Sequence, residues 1–145
     1  MKLLTLLAAM GLSLPALAQD IPSGEVPAAV MKTFKTSFPA ATGLEWERKI
    51  VGYEAEFKVD HREHKALLDS AGNLLRYKQE LPASALPVAV KNTVSQQYKG
   101  FRISDAAQVT RNQKVWYQLE LDGEPHDQKV VLSKEGKVDN TLGYW

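Results

Sequence analysis

The residues best placed to do chemistry are the run Asp60-His61-Arg62-Glu63-His64, with two imidazoles and two carboxylates inside five positions. Such a set suggests a divalent metal, but zinc sites draw three or four ligands into a tetrahedron, usually from separate segments. Here Arg62 puts a cation inside the cluster, the third histidine, His126, falls in a different turn, and no His-Glu-x-x-His spacing occurs. The run therefore reads as a solvated hairpin turn, with a small-ligand or metal sensor at His61 and His64 as the alternative. Carboxylate pairs also occur, Glu45 with Glu47 and Glu54 with Glu56. On a strand, i and i+2 spacing places both acids on one face, where they are expected to be solvated rather than to flank a bond. The sequence has no Gly-x-Ser-x-Gly elbow, no cysteine and no glycine-rich phosphate loop. No catalytic residue, no bound metal and no cofactor is expected.

Three tryptophans remain as candidates for recognition rather than reaction. Trp46 alternates with Leu44 and is expected in the core. Trp116 neighbours Tyr117, so if Tyr117, Leu119 and Leu121 point inward, Trp116 points outward with Gln118 and Glu120. An indole ringed by polar groups is a common interface anchor, while shelter by cross-strand neighbours is the competing reading. Trp145 ends the run LGYW and either docks the last strand or is mobile. An outer-membrane barrel is excluded by short strands, two intervening helices and the polar row Glu54, Glu56, Lys58, Gln118 and Glu120.

The elements that must position these residues begin after an N-terminal segment of distinct character. Lys2 precedes LLTLLAAMGLSLPALA, the form of a basic region, a short apolar stretch and an Ala16-Leu17-Ala18 cleavage site. Ser13 and Pro15 interrupt an apolar run already shorter than the roughly 20 residues of a bilayer span. Residues 1–18 are thus expected to be a cleaved signal peptide, with the exported chain starting near Gln19. Without Lys2, the basic residues equal the 17 acidic ones, so no net field attracts nucleic acid or an anionic membrane. With no disulfide available, an exported fold depends on its core.

That core is written twice. YEAEFKVD (53–60) and YQLELDGE (117–124) align at an offset of 64, as do HKALLDSAGNL and QKVVLSKEGKV, with Gly72 over Gly136. Upstream, VPAAVMKTFKTSF (26–38) overlies LPVAVKNTVSQQY (86–98) at an offset of 60, which leaves four extra residues before the second Tyr. An insertion of that kind belongs in a connection. Val26, Val30, Phe34 and Phe38 recur every fourth residue, as do Leu86, Val90, Val94 and Tyr98, which predicts two amphipathic helices. Pro27 and Pro87 fit their first turns, and Pro39 and Gly100 their ends. Period-two alternation and turn residues predict short antiparallel strands near 44–51, 53–60, 64–69, 73–79, 105–111, 115–122, 128–133 and 136–141. One helix on four strands buries little, so the two copies are expected to share one antiparallel sheet, with both helices on one face. QELPASALP (79–87) is the joint, giving one compact α+β domain of two repeats, residues 19–81 and 82–145.

The order of a Pro-led helix, LEWERK, YEAEF, HKALLDSAGNLL and then LPASALPVAV opening a second copy resembles the PepSY-like family of bacterial periplasmic proteins. The resemblance covers nearly all of residues 19–145. It implies a fold of two tandem helix-plus-four-strand repeats like that of the beta-lactamase inhibitor protein, and an inhibitory or binding role. Two departures stand out: Ser133-Lys134-Glu135-Gly136 lacks the acid that Asp69 supplies in the first copy, and the disulfides of that inhibitor are absent. None of its contact residues has a recognisable match here.

The sequence thus predicts a non-catalytic periplasmic binding protein, an inhibitor of an envelope enzyme being one form of it. Its partner is expected to be a protein or peptide held on the helix-free sheet face, with Trp116 at the centre and Glu54, Glu56, Lys58, Gln118 and Glu120 around it.

Overall fold

The computed structural model describes residues 19–145; the expected signal peptide and its cleavage site lie outside them. The chain forms β1 (Gln19–Ile21), helix α1 (Ala28–Ser37), β2 (Thr42–Lys49), β3 (Gly52–Val59), β4 (Arg62–Leu68), β5 (Leu74–Glu80), helix α2 (Val88–Gln97), β6 (Arg102–Arg111), β7 (Lys114–Asp122) and β8 (Gln128–Ser133). All eight strands are antiparallel neighbours in sequence order in one sheet. The two repeats meet at the β5–β6 pair, where Gln79 faces Gln108.

Each helix starts as its proline dictates. Pro27 and Pro87 are the N-caps, and each follows a single 3-10 turn, Ser23–Glu25 or Ala83–Ala85. A proline there gives up no helical hydrogen bond and presets the backbone angle. Val26 and Leu86, which the fourfold spacing placed in the helices, lie just before them but are buried all the same.

Both helices cover the same face of the sheet. Under α1, Phe34 meets Trp46 and Phe57 edge-on, with ring centroids 5.3 Å and 5.0 Å away. Under α2 the equivalent core is aliphatic, built from Leu86, Val90, Val94, Leu119, Leu121 and Leu132. Side-chain volumes offset one another between the copies. Trp46 stands opposite Ala55, whereas at the matching pair Ala106 stands opposite Leu119. A small-for-large exchange on one strand is balanced across the ladder, as close packing requires.

The four additional residues of the second copy lie beyond that matching pair, in the tip of the β6–β7 hairpin. They lengthen both strands rather than the helix-to-strand connection, because in-register lengthening keeps every backbone group paired. The strand expected at 136–141 does not form; only Val138 bridges, to Leu132. In the first repeat the strand at this place, β5, is held on its far side by β6. Among the described residues its counterpart has no such neighbour, and Asp139 turns the chain away. The eighth strand comes instead from β1, on the opposite edge.

His64 corrects the reading of the acidic-histidine run as a solvated turn. Only Asp60 and His61 form the turn, both at positive φ. His64 belongs to β4, 6 % exposed on the helix face, stacked between Phe57 and Tyr77. Its Nδ1 and the Tyr77 hydroxyl are 2.6 Å apart, a hydrogen bond whose donor depends on the tautomer. Burial pushes the imidazole below its ordinary 6.5, with Glu80 and Asp60 pulling the other way. The neutral ring is then the folded form, so below 6.5 the unfolded chain binds the additional proton. Stability is held above that pH and lost as pH falls through the window beneath it. Thermal melts in a pH series are expected to show this loss in the wild type and a flatter profile in His64→Gln. An unchanged slope in the variant would assign the acid sensitivity elsewhere.

Candidate functional site

Ladder register decides which side chains share the helix-free face. Glu54, Glu56 and Lys58 alternate against the core residues Ala55 and Phe57, and Trp116, Gln118 and Glu120 against Tyr117, Leu119 and Leu121. Across the ladder, Glu54 faces Leu67 and Glu56 faces Lys65 on β4, while Trp116 faces Val109 and Gln118 faces Ala107 on β6. All six expected residues therefore lie on one face, but that face is not uniformly open.

Glu54 and Gln118, expected at an exposed rim, are 4 % and 3 % exposed. The reason is a segment the strand pattern did not place: after β8 the chain crosses the helix-free face and sets Trp145 between the two repeats. The indole Nε1 donates to Glu54 Oε2 at 2.8 Å, and the Trp145 backbone N–H donates to Gln118 Oε1 at 3.2 Å. The Arg76 guanidinium lies 4.0 Å from the indole centroid. Trp116 is partly buried beside this segment, in a space of about 140 Å³ that it shares with Val109, Val131, Tyr144 and Trp145. It flanks the centre of the face rather than forming it, and shelter comes from the crossing segment as well as from the ladder.

The other half of the face is accessible. Lys58 is exposed, and the Glu56 and Glu120 side chains retain about two-fifths of their surface. A groove of about 250 Å³ runs there, walled by Glu45, Glu56, Lys58, Lys65, Glu80 and Asp105 among others. Its charges are partly paired, Lys65 bridging Glu56, and outside it Lys129 meets Glu120 at 2.9 Å. At its inner end, burial lowers the Lys78 pKa, as does nearby Lys65. Burial likewise raises that of Asp105, helped by Glu120 and Glu80. Loss of solvent is the larger influence on both groups, and their mutual attraction offsets only part of it.

His61 and His64 do not come together as a binding pair. His61 is exposed in the turn, whereas His64 faces the core with Nδ1 engaged by Tyr77. Among the described residues no group of three or more His, Cys, Asp or Glu side chains is placed to hold a metal ion. Sequence reasoning missed Arg76, Lys78 and Tyr144 and gave Trp145 only as docking the last strand or mobile; their grouping depends on the return of the chain across the sheet.

Among the described residues no helix is long and apolar enough to cross a membrane. No curated protein matches the chain. Among solved structures, one from Bacteroides eggerthii, described as a "putative periplasmic" protein, is 16% identical with a TM-score of 0.71, over 78% of this chain and 85% of that one. A "BLIP-like protein" from Bacteroides fragilis is 24% identical with a TM-score of 0.67, over 82% and 92%. At such identities the likeness establishes the fold alone. The profile of one family matches twice in tandem, over residues 16–76 and 76–140, and the chain belongs to that family, "Putative beta-lactamase-inhibitor-like, PepSY-like".

Proposed function

We propose that this chain is a non-catalytic binding module of the bacterial periplasm, inhibitor-like in action, that recognises a protein or peptide through the helix-free face of its sheet. The observation that carries the reading is unequal coverage: two helices occupy one face, and the other, crossed by residues 140–145 over one half, presents over its accessible half a groove of mixed charge that reaches Lys78, the residue bonded to Trp145. A groove built from ladder positions is rigid, so little ordering entropy opposes binding. Lys58, Glu56 and Glu120 supply charge at the rim, which sets encounter rate and salt dependence more than affinity. The family and the BLIP-like neighbour agree with an inhibitory role, and the leader form of residues 1–18 agrees with export. A photocross-linkable residue at Lys58 or Glu120 is expected to trap the partner, and one at Lys35 or Asn92 on the helices is not.

A further inference from the structure

The segment crossing the helix-free face is held as a bound peptide would be. Asp139 Oδ1 accepts from the backbone N–H groups of Thr141 at 2.8 Å and Leu142 at 3.2 Å, and from the Thr141 hydroxyl at 2.6 Å. This Asx-type turn sends the chain back over the sheet. From there residues 140–145 join no strand. Their anchorage is made by side chains of the sheet. Glu54 takes the indole N–H, Gln118 takes the Trp145 backbone N–H, and Lys78 Nζ donates to the Trp145 carbonyl oxygen. Arg76 covers the indole face, and Lys129 lies 4.8 Å from the Tyr144 ring centroid.

Two features set this apart from an ordinary apolar cap. The cradle is polar and mostly ionic, although Glu54 and Gln118 are withdrawn from water almost completely. Burying such groups is costly unless a partner satisfies them. Lys49 and Lys65 take Glu54 Oε1, at 3.3 Å and 3.9 Å, and leave Oε2 to the indole, while Trp145 is read through both its backbone groups and its ring nitrogen. The cradle is also composite. Glu54 and Gln118 occupy equivalent positions of the two repeats, and Arg76 and Lys78 stand on β5 at the joint. Neither repeat alone could form it.

We propose that Glu54, Arg76, Lys78 and Gln118 form a recognition site for a tryptophan-bearing peptide segment, occupied in cis by Tyr144-Trp145 and in trans by a partner. The inference rests on the reading of this face as the recognition surface, and it names the partner's chemistry. The segment is then a tethered competitor. A tethered ligand acts at an effective concentration of order millimolar, so it lowers apparent affinity by the fraction of time the site is open.

The test uses the full chain and a fluorescent, C-amidated synthetic peptide of residues 139–145, followed by anisotropy. The Tyr144→Ser/Trp145→Ser double variant is expected to bind this peptide at least about tenfold more tightly than the wild type. Adding Arg76→Gln to the double variant should weaken binding, and a peptide with alanine in place of the tryptophan should not bind. Should the double variant melt early, Trp145→Ala alone, which leaves Tyr144 in place, is expected to shift affinity in the same direction. A folded variant that ignores the peptide, or that binds it no better than the wild type does, overturns the proposal. A partner trapped from Lys58 or Glu120 by such a variant keeps the face and removes only the indole site. No trapping from either position removes the face itself.

Discussion

Phe57→Ala is expected to lower folding stability by about 3–5 kcal/mol, the range for removing a buried ring. Phe57 is 3 % exposed and lies at the meeting point of the first core, with the Phe34, Phe38 and His64 centroids 5.0 Å, 4.8 Å and 5.5 Å away. Its ring is fixed from three sides by groups on α1, on the chain just after it and on β4, so the space it leaves cannot be refilled without moving a helix. Leu121 occupies the equivalent place in the second core and is fully buried. Leu121→Ala is expected to cost about 2–5 kcal/mol. Lys58, next to Phe57 but on the opposite face, should tolerate alanine within about 0.5 kcal/mol. Urea midpoints at constant slope decide it. Equal losses at Phe57 and Lys58 would mean that inside and outside had been exchanged.

Gly136→Ala is expected to be comparably damaging for a different reason. Gly136 sits at φ +82°, and a Cβ there would lie 2.5 Å from the Ala89 carbonyl oxygen and 2.6 Å from Thr93 Oγ1. That hydroxyl donates to the Gly136 carbonyl oxygen at 2.6 Å, so the turn after β8 is bonded directly to α2. A side chain at Gly136 imposes a disfavoured backbone region and pushes the helix off the turn, together costing about 2–4 kcal/mol. Gly100 separates the two contributions. Its φ is +85°, but nothing lies within 4 Å of its would-be Cβ, so Gly100→Ala should cost only the roughly 1–2 kcal/mol of backbone strain. Thermal melts that rank the two variants equally would contradict the docking of turn against helix.

The repeat made most of the fold legible, because period-two alternation around Phe57 and Leu121 and fourfold spacing around Phe34 and Val94 are local patterns that tertiary packing then reinforces. His64 was legible in principle. It continues the inward row of Ala66 and Leu68, but its charged neighbours suggested a turn, and the pull of the apolar row prevailed. The loss of the last strand and the return of Trp145 over the sheet have no local signature. Whether a strand forms at 136–141 depends on a neighbour to pair with, and no property of LGYW reveals that Glu54, ninety-one positions earlier, receives its indole. Period two was therefore enough to put the six side chains on one side of the sheet, while nothing local told that half of that side is covered.

The most direct measurement is photocross-linking in the native cell, with the reactive residue placed in turn at Lys58, Glu120, Lys35 and Asn92, all in the full-length chain. The first two lie on the helix-free face and the last two on the outer surface of the helices. Recognition by the sheet predicts one adduct of the same mass from Lys58 and Glu120, with none from Lys35 or Asn92. Adducts from Lys35 or Asn92 alone would contradict it and move the recognition surface to the helices.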